Sequence, residues 1–160
     1  MINKPERSGY TIHDFLTWRS SSQLAISPRF QRRKVWGDAA RSFLIDTLLL
    51  GFPVPPLYIR LTNIKGHTLP VREVVDGQQR MSAALDFFDG KFALSTNLNS
   101  PYAGLRFSGL PQEAKDKITG YSFICEVFTG ISDQDVLSIF ARLNTYSVRL
   151  NGQELRVRTH

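Results

Sequence analysis

The sequence predicts an α+β fold, in which a compact mixed sheet packs with several helices. Apolar residues recur at helical spacing in some segments and alternate with polar residues in others, so both helices and strands are expected. The two kinds of segment follow one another without the regular strand–helix–strand spacing of a doubly wound sheet. That irregular order favours the compact mixed arrangement.

Composition narrows the class of protein further. The chain has 160 residues, of which 42% are hydrophobic, and this is enough for one core and a single domain over residues 1–160. The formal net charge of +6 favours polyanionic partners, although many ordinary soluble domains are equally basic. The single cysteine, Cys125, excludes an internal disulfide and a cysteine-cluster zinc site.

A polar N-terminus and the lack of a long apolar stretch predict a cytoplasmic protein with no membrane partner.

Three elements are predicted in the first third of the chain: a helix over residues 11–20, a strand over 23–26 and a helix over 39–50. Thr11 and Asp14 have the spacing of a capping box at the start of the first helix. Asp38 is the expected N-cap of the second helix, and Gly51 is expected to end it. The face of this second helix that we expect to be buried consists of Phe43, Leu44, Thr47 and Leu48.

The rest of the chain alternates in the same way. Strands are predicted over residues 57–61, 71–75, 91–95 and 121–128, and helices over 81–88, over 111–119 and after residue 132. Ser132 is the expected N-cap of that third helix, with Asp135 three residues further on. Residues 97–109 are expected to form a surface loop, and Asn151 to begin a final helix.

The turn at residues 76–80 is the strongest candidate for a functional site. A buried strand leads to Gly77, and a helix is expected to begin directly after it. The first N–H groups of a helix lack partners within the helix, and the helix dipole adds positive potential, so a helix N-terminus is a natural site for phosphate. Arg80 can bind phosphate oxygens in pairs, and Gln78 and Gln79 can donate further hydrogen bonds.

Asp76 has two interpretations at this turn. A carboxylate beside a phosphate is repelled unless a cation lies between them or the carboxylate transfers a proton. Asp76 is therefore either a Mg²⁺ ligand or the group that orients an attacking water, or it is simply the N-cap of the following helix. Spacing alone favours the N-cap.

Two further clusters carry polar residues. Residues 30–36 interleave cations with aromatic residues, which suits a phosphate backbone and a stacked base; the alternative is a solvated loop with Phe30 and Trp36 in the core. Gln31 and Arg32 are the residues expected to face the pocket. The cations expected to contact DNA are Arg29, Arg33 and Lys34.

The second of these clusters contains Arg142 and Asn144 on the flank of an amphipathic helix. Pattern alone favours an exposed arginine and a C-terminal asparagine cap. The sequence has no G-x-x-x-x-G-K-[ST] loop, no G-x-G-x-x-G and no G-x-S-x-G, which excludes a P-loop, a Rossmann site and a nucleophile elbow.

Four motifs occur in a fixed order along the chain: F-Q-R-x-x-V-W, then G-x-P-V-P-P-L-Y, then V-D-G-Q-Q-R, then F-x-R-L-N-T with L-N-x-Q-E-L. This order resembles the N-terminal domain of GmrSD-type restriction endonucleases, a family of prokaryotic defence proteins with a ParB/sulfiredoxin-like fold. The resemblance extends from about residue 11 to residue 155.

The resemblance implies a domain that binds a nucleoside triphosphate with Mg²⁺ and hydrolyses it, and so drives or licenses attack on DNA. It implies that residues 76–80 form the nucleotide site, with Asp76 and Arg80 catalytic. Gln31, Arg32, Arg142 and Asn144 are then the neighbours in the pocket. DNA and a nuclease domain or subunit are the expected partners.

The chain contains no H-N-H or other nuclease motif, so we expect DNA cleavage to lie outside it. It is either a fragment or a stand-alone nucleotide module. The turn also lacks the cysteine that sulfiredoxin relatives use, which argues against redox chemistry. Two alternatives to hydrolysis remain: a nucleotide switch or DNA clamp that binds without turnover, and an adaptor that contacts the DNA backbone.

Overall fold

The computed structural model describes residues 4–26, 35–63, 65–66 and 68–158, with side chains described as far as residue 146. Five strands are present in this part of the chain: β1 Glu6–Thr11, β2 Leu24–Ile26, β3 Leu57–Thr62, β4 Val71–Asp76 and β5 Ser122–Thr129. Five α-helices accompany them: α1 Ile12–Ser20, α2 Asp38–Leu50, α3 Gln78–Phe88, α4 Gln112–Thr119 and α5 Asp133–Arg158. A short 3₁₀ turn covers Phe107–Gly109.

The strands form one mixed sheet in the order β1-β5-β3-β4-β2. β1 and β5 are antiparallel, and so are β3 and β4, whereas β3 with β5 and β2 with β4 are parallel. Strands and helices therefore combine in an α+β fold with a mixed sheet, which confirms the predicted fold class. No helix in the described residues is long and apolar enough to cross a membrane.

The two faces of the sheet are covered by different helices. Successive strand residues point to opposite faces, so Val74 and Val75 belong to different clusters of buried side chains. Val74 lies in the main core, which contains residues of α1, α2, α3 and α4 together with Phe123 and Cys125 of β5. Val75 lies under α5, against Val136 and Phe140. The end of β4 consequently lies between α3 on one face and α5 on the other.

Several local predictions are confirmed by hydrogen bonds at helix ends. The Asp14 backbone N–H donates to Thr11 Oγ1 at 3.1 Å, and the Thr11 N–H donates to the Asp14 carboxylate at 2.9 Å, which completes the capping box of α1. Ser132 and Asp135 make the same reciprocal pair at the start of α5, at 3.0 and 3.2 Å. Gly51 ends α2 in the left-handed conformation with a φ of 72°.

Two predictions for α2 are wrong in detail. The N-cap is Gly37, and Asp38 is the first helical residue, where its carboxylate still faces the positive end of the helix dipole. Phe43 does not belong to the buried face and is 68% exposed. The buried residues of α2 are Ser42, Leu44, Ile45, Leu48 and Leu49, so the buried face lies further around the helix than predicted and leaves Phe43 outside it.

Other predicted elements also differ from the structure. Residues 91–95 are not a strand: Leu94 makes isolated backbone bonds to Leu105 and Gly104 and pairs with no strand. β1 was not expected, because its residues are polar; it is an edge strand held by pairing with β5. The predicted break before Asn151 is absent, since α5 continues to Arg158.

Candidate functional site

The turn between β4 and α3 has the geometry expected of a strand that runs directly into a helix. Gly77 is the N-cap of α3 and has a φ of +93°, in the left-handed region that favours glycine. A Cβ added at Gly77 would overlap the Cδ2 atom of Leu57, which is fully buried. Only glycine therefore satisfies both the backbone conformation and the contact with β3.

Asp76 is the last residue of β4 and precedes the N-cap. The N-cap interpretation is therefore wrong, because Gly77 occupies the capping position in a conformation that suits glycine. Asp76 pairs across the sheet with Tyr58, at the point where the register between β3 and β4 shifts. Asp76 also lines a cavity, and its roles as a Mg²⁺ ligand or as the group that orients a water stay predictions.

The two glutamines of the turn brace the backbone around it. Gln78 is 5% exposed, and its side-chain amide donates to the Val75 carbonyl at 2.9 Å. The Gln79 side-chain oxygen accepts a hydrogen bond from the Trp36 backbone N–H at 2.9 Å. In this structure, Gln78 thus stabilises the strand–helix turn, and Gln79 ties the segment before α2 to the first turn of α3.

Arg80 connects α3 to the proline-rich segment that precedes β3. Its guanidinium donates to the Pro55 carbonyl through Nη1 and to the Pro56 carbonyl through Nη2, the latter at 3.4 Å. The planar fork of arginine suits two neighbouring carbonyl oxygens. These contacts hold the proline-rich segment against the start of α3 and keep a positive charge at the helix N-terminus.

A cavity of about 670 Å³ lies in front of this turn. Its walls come from α2, the proline-rich segment, the ends of β3 and β4, and α5. Its lining includes two charged side chains, Asp76 and Arg80, and the side-chain amide of Asn144 from α5. Its aromatic wall consists of Trp36, Phe43 and Tyr58. The remaining described lining is residues 53–56 with Ala40, Leu44, Thr47 and Leu143.

Tyr58 contributes a hydroxyl that stays protonated. Burial raises the pKa of the Tyr58 phenol above its ordinary value, and the negative charges of Glu126 and Asp76 raise it further. Tyr58 pairs in register with both of these residues, with Glu126 on β5 and with Asp76 on β4. A neutral phenol beside Asp76 is a hydrogen-bond donor at neutral pH.

The structure brings together only some of the residues predicted from the sequence. Asp76, Arg80 and Asn144 line the cavity, whereas Gly77, Gln78 and Gln79 lie behind it and shape the turn. Arg142 is exposed and is not among the described lining residues. The remaining predicted residues lie outside the described part of the chain: Arg29, Gln31, Arg32, Arg33 and Lys34.

Sequence reasoning missed Phe43 and Tyr58 as cavity residues. Phe43 has helical spacing with core residues and was expected to be buried, and Tyr58 sits in an ordinary strand pattern. A usable signal existed for Tyr58, since it ends the G-x-P-V-P-P-L-Y string at residues 51–58. For Phe43, the cavity forms where α2, the proline-rich segment and α5 come near one another, which no local pattern reveals.

The described residues contain no group of three or more His, Cys, Asp or Glu side chains arranged to hold a metal ion. Asp76 places one carboxylate in the cavity. One carboxylate suits Mg²⁺, which retains several waters and takes most of its other ligands from substrate phosphates. The residues present therefore fit a magnesium ion that arrives with a nucleotide.

The fold and the cavity define a small α+β domain with a cavity of mixed polar and aromatic lining beside the turn where a strand meets a helix. The family model described as "GmrSD restriction endonuclease, N-terminal domain" matches residues 12–160, and the chain belongs to this family. The family assigns the chain to a restriction system. A search of the curated proteins and a search of the solved structures each found no match.

Proposed function

We propose that this domain binds a nucleoside triphosphate with Mg²⁺ in the cavity and hydrolyses it, as part of a DNA restriction system. The observation that carries the proposal is that Asp76 and Arg80, which flank the N-terminus of α3, line the same cavity of about 670 Å³. That volume lies in the ordinary range for small-molecule sites, about 300–1,000 Å³.

The polar end of the cavity has the chemistry that a phosphate chain requires. The N-terminus of α3 supplies backbone N–H groups and a positive dipole, and Gly77 leaves no side chain over them. Arg80 adds a fixed positive charge one turn into the helix. Asn144, on α5, contributes an amide from the facing wall. Together these groups would bind phosphate oxygens from two sides.

Asp76 would serve as a magnesium ligand or orient the attacking water. Mg²⁺ held there would neutralise charge that develops on the phosphates, and Asp76 lies at the end of β4, directly before the turn into α3. Arg80 would stabilise the charge that accumulates on the transferred phosphoryl group. Hydrolysis of this kind depends on positioning and charge stabilisation, so few side chains suffice.

One observation favours a second function, a nucleotide switch that binds with little turnover. Arg80 donates to the Pro55 and Pro56 carbonyls in this structure. A nucleotide that drew Arg80 toward its phosphates would weaken these bonds and release the proline-rich segment. The same site would then report occupancy through a change of conformation, and DNA or a nuclease partner would respond to it.

The test is nucleotide binding and phosphate release for the four common triphosphates, with and without Mg²⁺ and DNA. Asp76→Asn and Arg80→Ala are expected to lower the hydrolysis rate by about 100-fold or more. The matched controls are Asp116→Asn and Arg106→Ala. Asp116 is an exposed carboxylate on α4, and Arg106 also donates to a backbone carbonyl, that of Gly90, at 2.6 Å.

The outcomes separate the two functions. Hydrolysis that both site variants abolish and both controls retain supports the hydrolase. Tight binding without phosphate release supports the switch. If no triphosphate binds, or if Asp76→Asn and Arg80→Ala leave both binding and turnover unchanged, the nucleotide site is assigned to the wrong place.

A further inference from the structure

The cavity has far more apolar wall than a phosphate chain can use. Asp76 and Arg80 form the charged part of the lining, and the rest of the described lining is mostly aromatic, aliphatic or proline. Phosphate oxygens gain nothing from such a surface. A ligand that fills the cavity must therefore have a second, apolar part of aromatic size.

Trp36 is the largest aromatic side chain in that wall, and its backbone is held in place. Its N–H donates to Gln79 Oε1 at 2.9 Å, across 43 residues of sequence. Gln79 is the immediate neighbour of Arg80 on the first turn of α3. The aromatic wall and the phosphate end are thus fixed to the same helical turn.

Phe43, on α2, is a second aromatic residue in the lining of the cavity. It is 68% exposed, although the residue that follows it, Leu44, is buried in the core. An aromatic ring that lines a cavity but contributes little to the core is typical of a binding surface. Trp36 and Phe43 therefore offer rings to a planar ligand group in the cavity.

From this arrangement we infer that Trp36 stacks on the base of the bound nucleotide and that Gln79 is a positioning residue, which holds Trp36 through its backbone. The inference rests on the proposed nucleotide function and identifies the part of the cavity that takes the base. Stacking on an aromatic ring tolerates any base, so this contact gives affinity for nucleosides over inorganic phosphates, without choosing among bases.

The first experiment compares two ligands that share phosphates but differ in the base. A nucleoside triphosphate and inorganic tripolyphosphate are titrated by calorimetry into the full chain and into Trp36→Ala. Trp36→Ala is expected to weaken the triphosphate about tenfold or more and to leave tripolyphosphate unchanged. Trp36→Phe, which keeps a ring, should recover most of the affinity. Phe52→Ala removes an exposed ring that lies outside this cavity and is the matched control.

The second experiment needs no ligand. The chain has two tryptophans, so Trp18→Phe leaves Trp36 as the sole indole fluorophore. In that background Gln79→Met, which lacks the acceptor, is expected to shift Trp36 emission to the red and to increase its quenching by acrylamide. Gln79→Glu keeps an acceptor oxygen and should leave both unchanged. Melting curves identify any variant that fails to fold, and the calorimetry does not depend on Trp18→Phe.

The outcomes distinguish this inference from the proposed function. If the triphosphate binds equally well to Trp36→Ala and to the unaltered chain, the stacking role is wrong while the nucleotide site stands. If Gln79→Met leaves Trp36 emission unchanged, the positioning role is wrong. If neither the triphosphate nor tripolyphosphate binds, the proposed function and the inference fail together.

Discussion

Gly77 is the residue on which the shape of the turn depends. Alanine there would adopt an unfavourable left-handed conformation, and its Cβ would also overlap Leu57. Gly66 has nearly the same φ, +91°, but open space around it. Gly66→Ala is expected to lower the free energy of unfolding by about 1 kcal/mol through backbone strain alone. Gly77→Ala is expected to lower it by about 2–3 kcal/mol. Denaturant unfolding of both variants measures the difference, and equal costs would show that the contact with Leu57 is unimportant.

Cys125 provides a second test at the scale of one residue. Burial, with a smaller effect from the charge of Glu126, raises the pKa of its thiol from an ordinary 9.0 to about 12. At about pH 8 only about one thiol in ten thousand is ionised. We therefore expect the folded protein to resist alkylation that modifies the unfolded chain readily.

The same shift predicts how stability changes with pH. The pKa of Cys125 in the folded protein lies above its value in the unfolded chain. Its contribution to the free energy of unfolding is therefore fully present below about pH 9 and is lost as the pH rises toward 12. Cys125→Ala should remove this part of the alkaline loss of stability. Rapid alkylation of the native protein at pH 8 would contradict the buried, neutral thiol.

Helix α5 forms one wall of the cavity, and few of its side chains described up to residue 146 are buried against the sheet. Phe140 and Val136 pack on Val75, and Asp133 pairs with the buried Arg60 of β3 at 2.8 Å. Leu143 and Asn144, one turn further along, form the far wall of the cavity. The position of that wall therefore depends on a small cluster that is separate from the main core.

Phe140→Ala tests this dependence. It is expected to destabilise the protein by about 3 kcal/mol, because Phe140 is 5% exposed, and to lower hydrogen-exchange protection in α5 more than in β5. Leu137 lies on the same helix but is 39% exposed, so Leu137→Ala should change stability by less than about 0.5 kcal/mol. If hydrogen-exchange protection fell equally in the sheet and in α5, α5 would not unfold as a unit separate from the sheet.

At the scale of the whole molecule, the net charge of +6 predicts salt-dependent binding to DNA. If the early basic segment makes the contact, replacing Arg29, Arg33 and Lys34 by alanine should reduce the slope of log affinity against log salt by about 2–3. The control removes three other cations, Lys65, Lys91 and Lys117, with the same change of charge. Equal effects of the two triple variants would indicate general electrostatic attraction and no defined contact.

Local structure was largely predictable from the sequence, because its signals come from neighbours along the chain. The capping boxes at Thr11 and Ser132 and the buried alternation of β5 depend on residues two or three positions apart. Residues 91–95 and β1 show the limit of this reasoning. Alternation predicted a strand at residues 91–95, where no neighbour pairs with it, and missed β1, whose polar residues pair with β5.

The sequence by itself determined the turn from a buried strand through Gly77 into a helix, and it determined the family through four ordered motifs. Only the tertiary structure decided what each residue of the turn does there. Asp76 is no cap, because Gly77 takes that position, and Gln78 and Gln79 hold backbone groups that are 3 and 43 residues away. Those roles depend on which surfaces come into contact when α2, α3 and α5 pack on the sheet. Contacts of this kind produce no periodic pattern in the sequence.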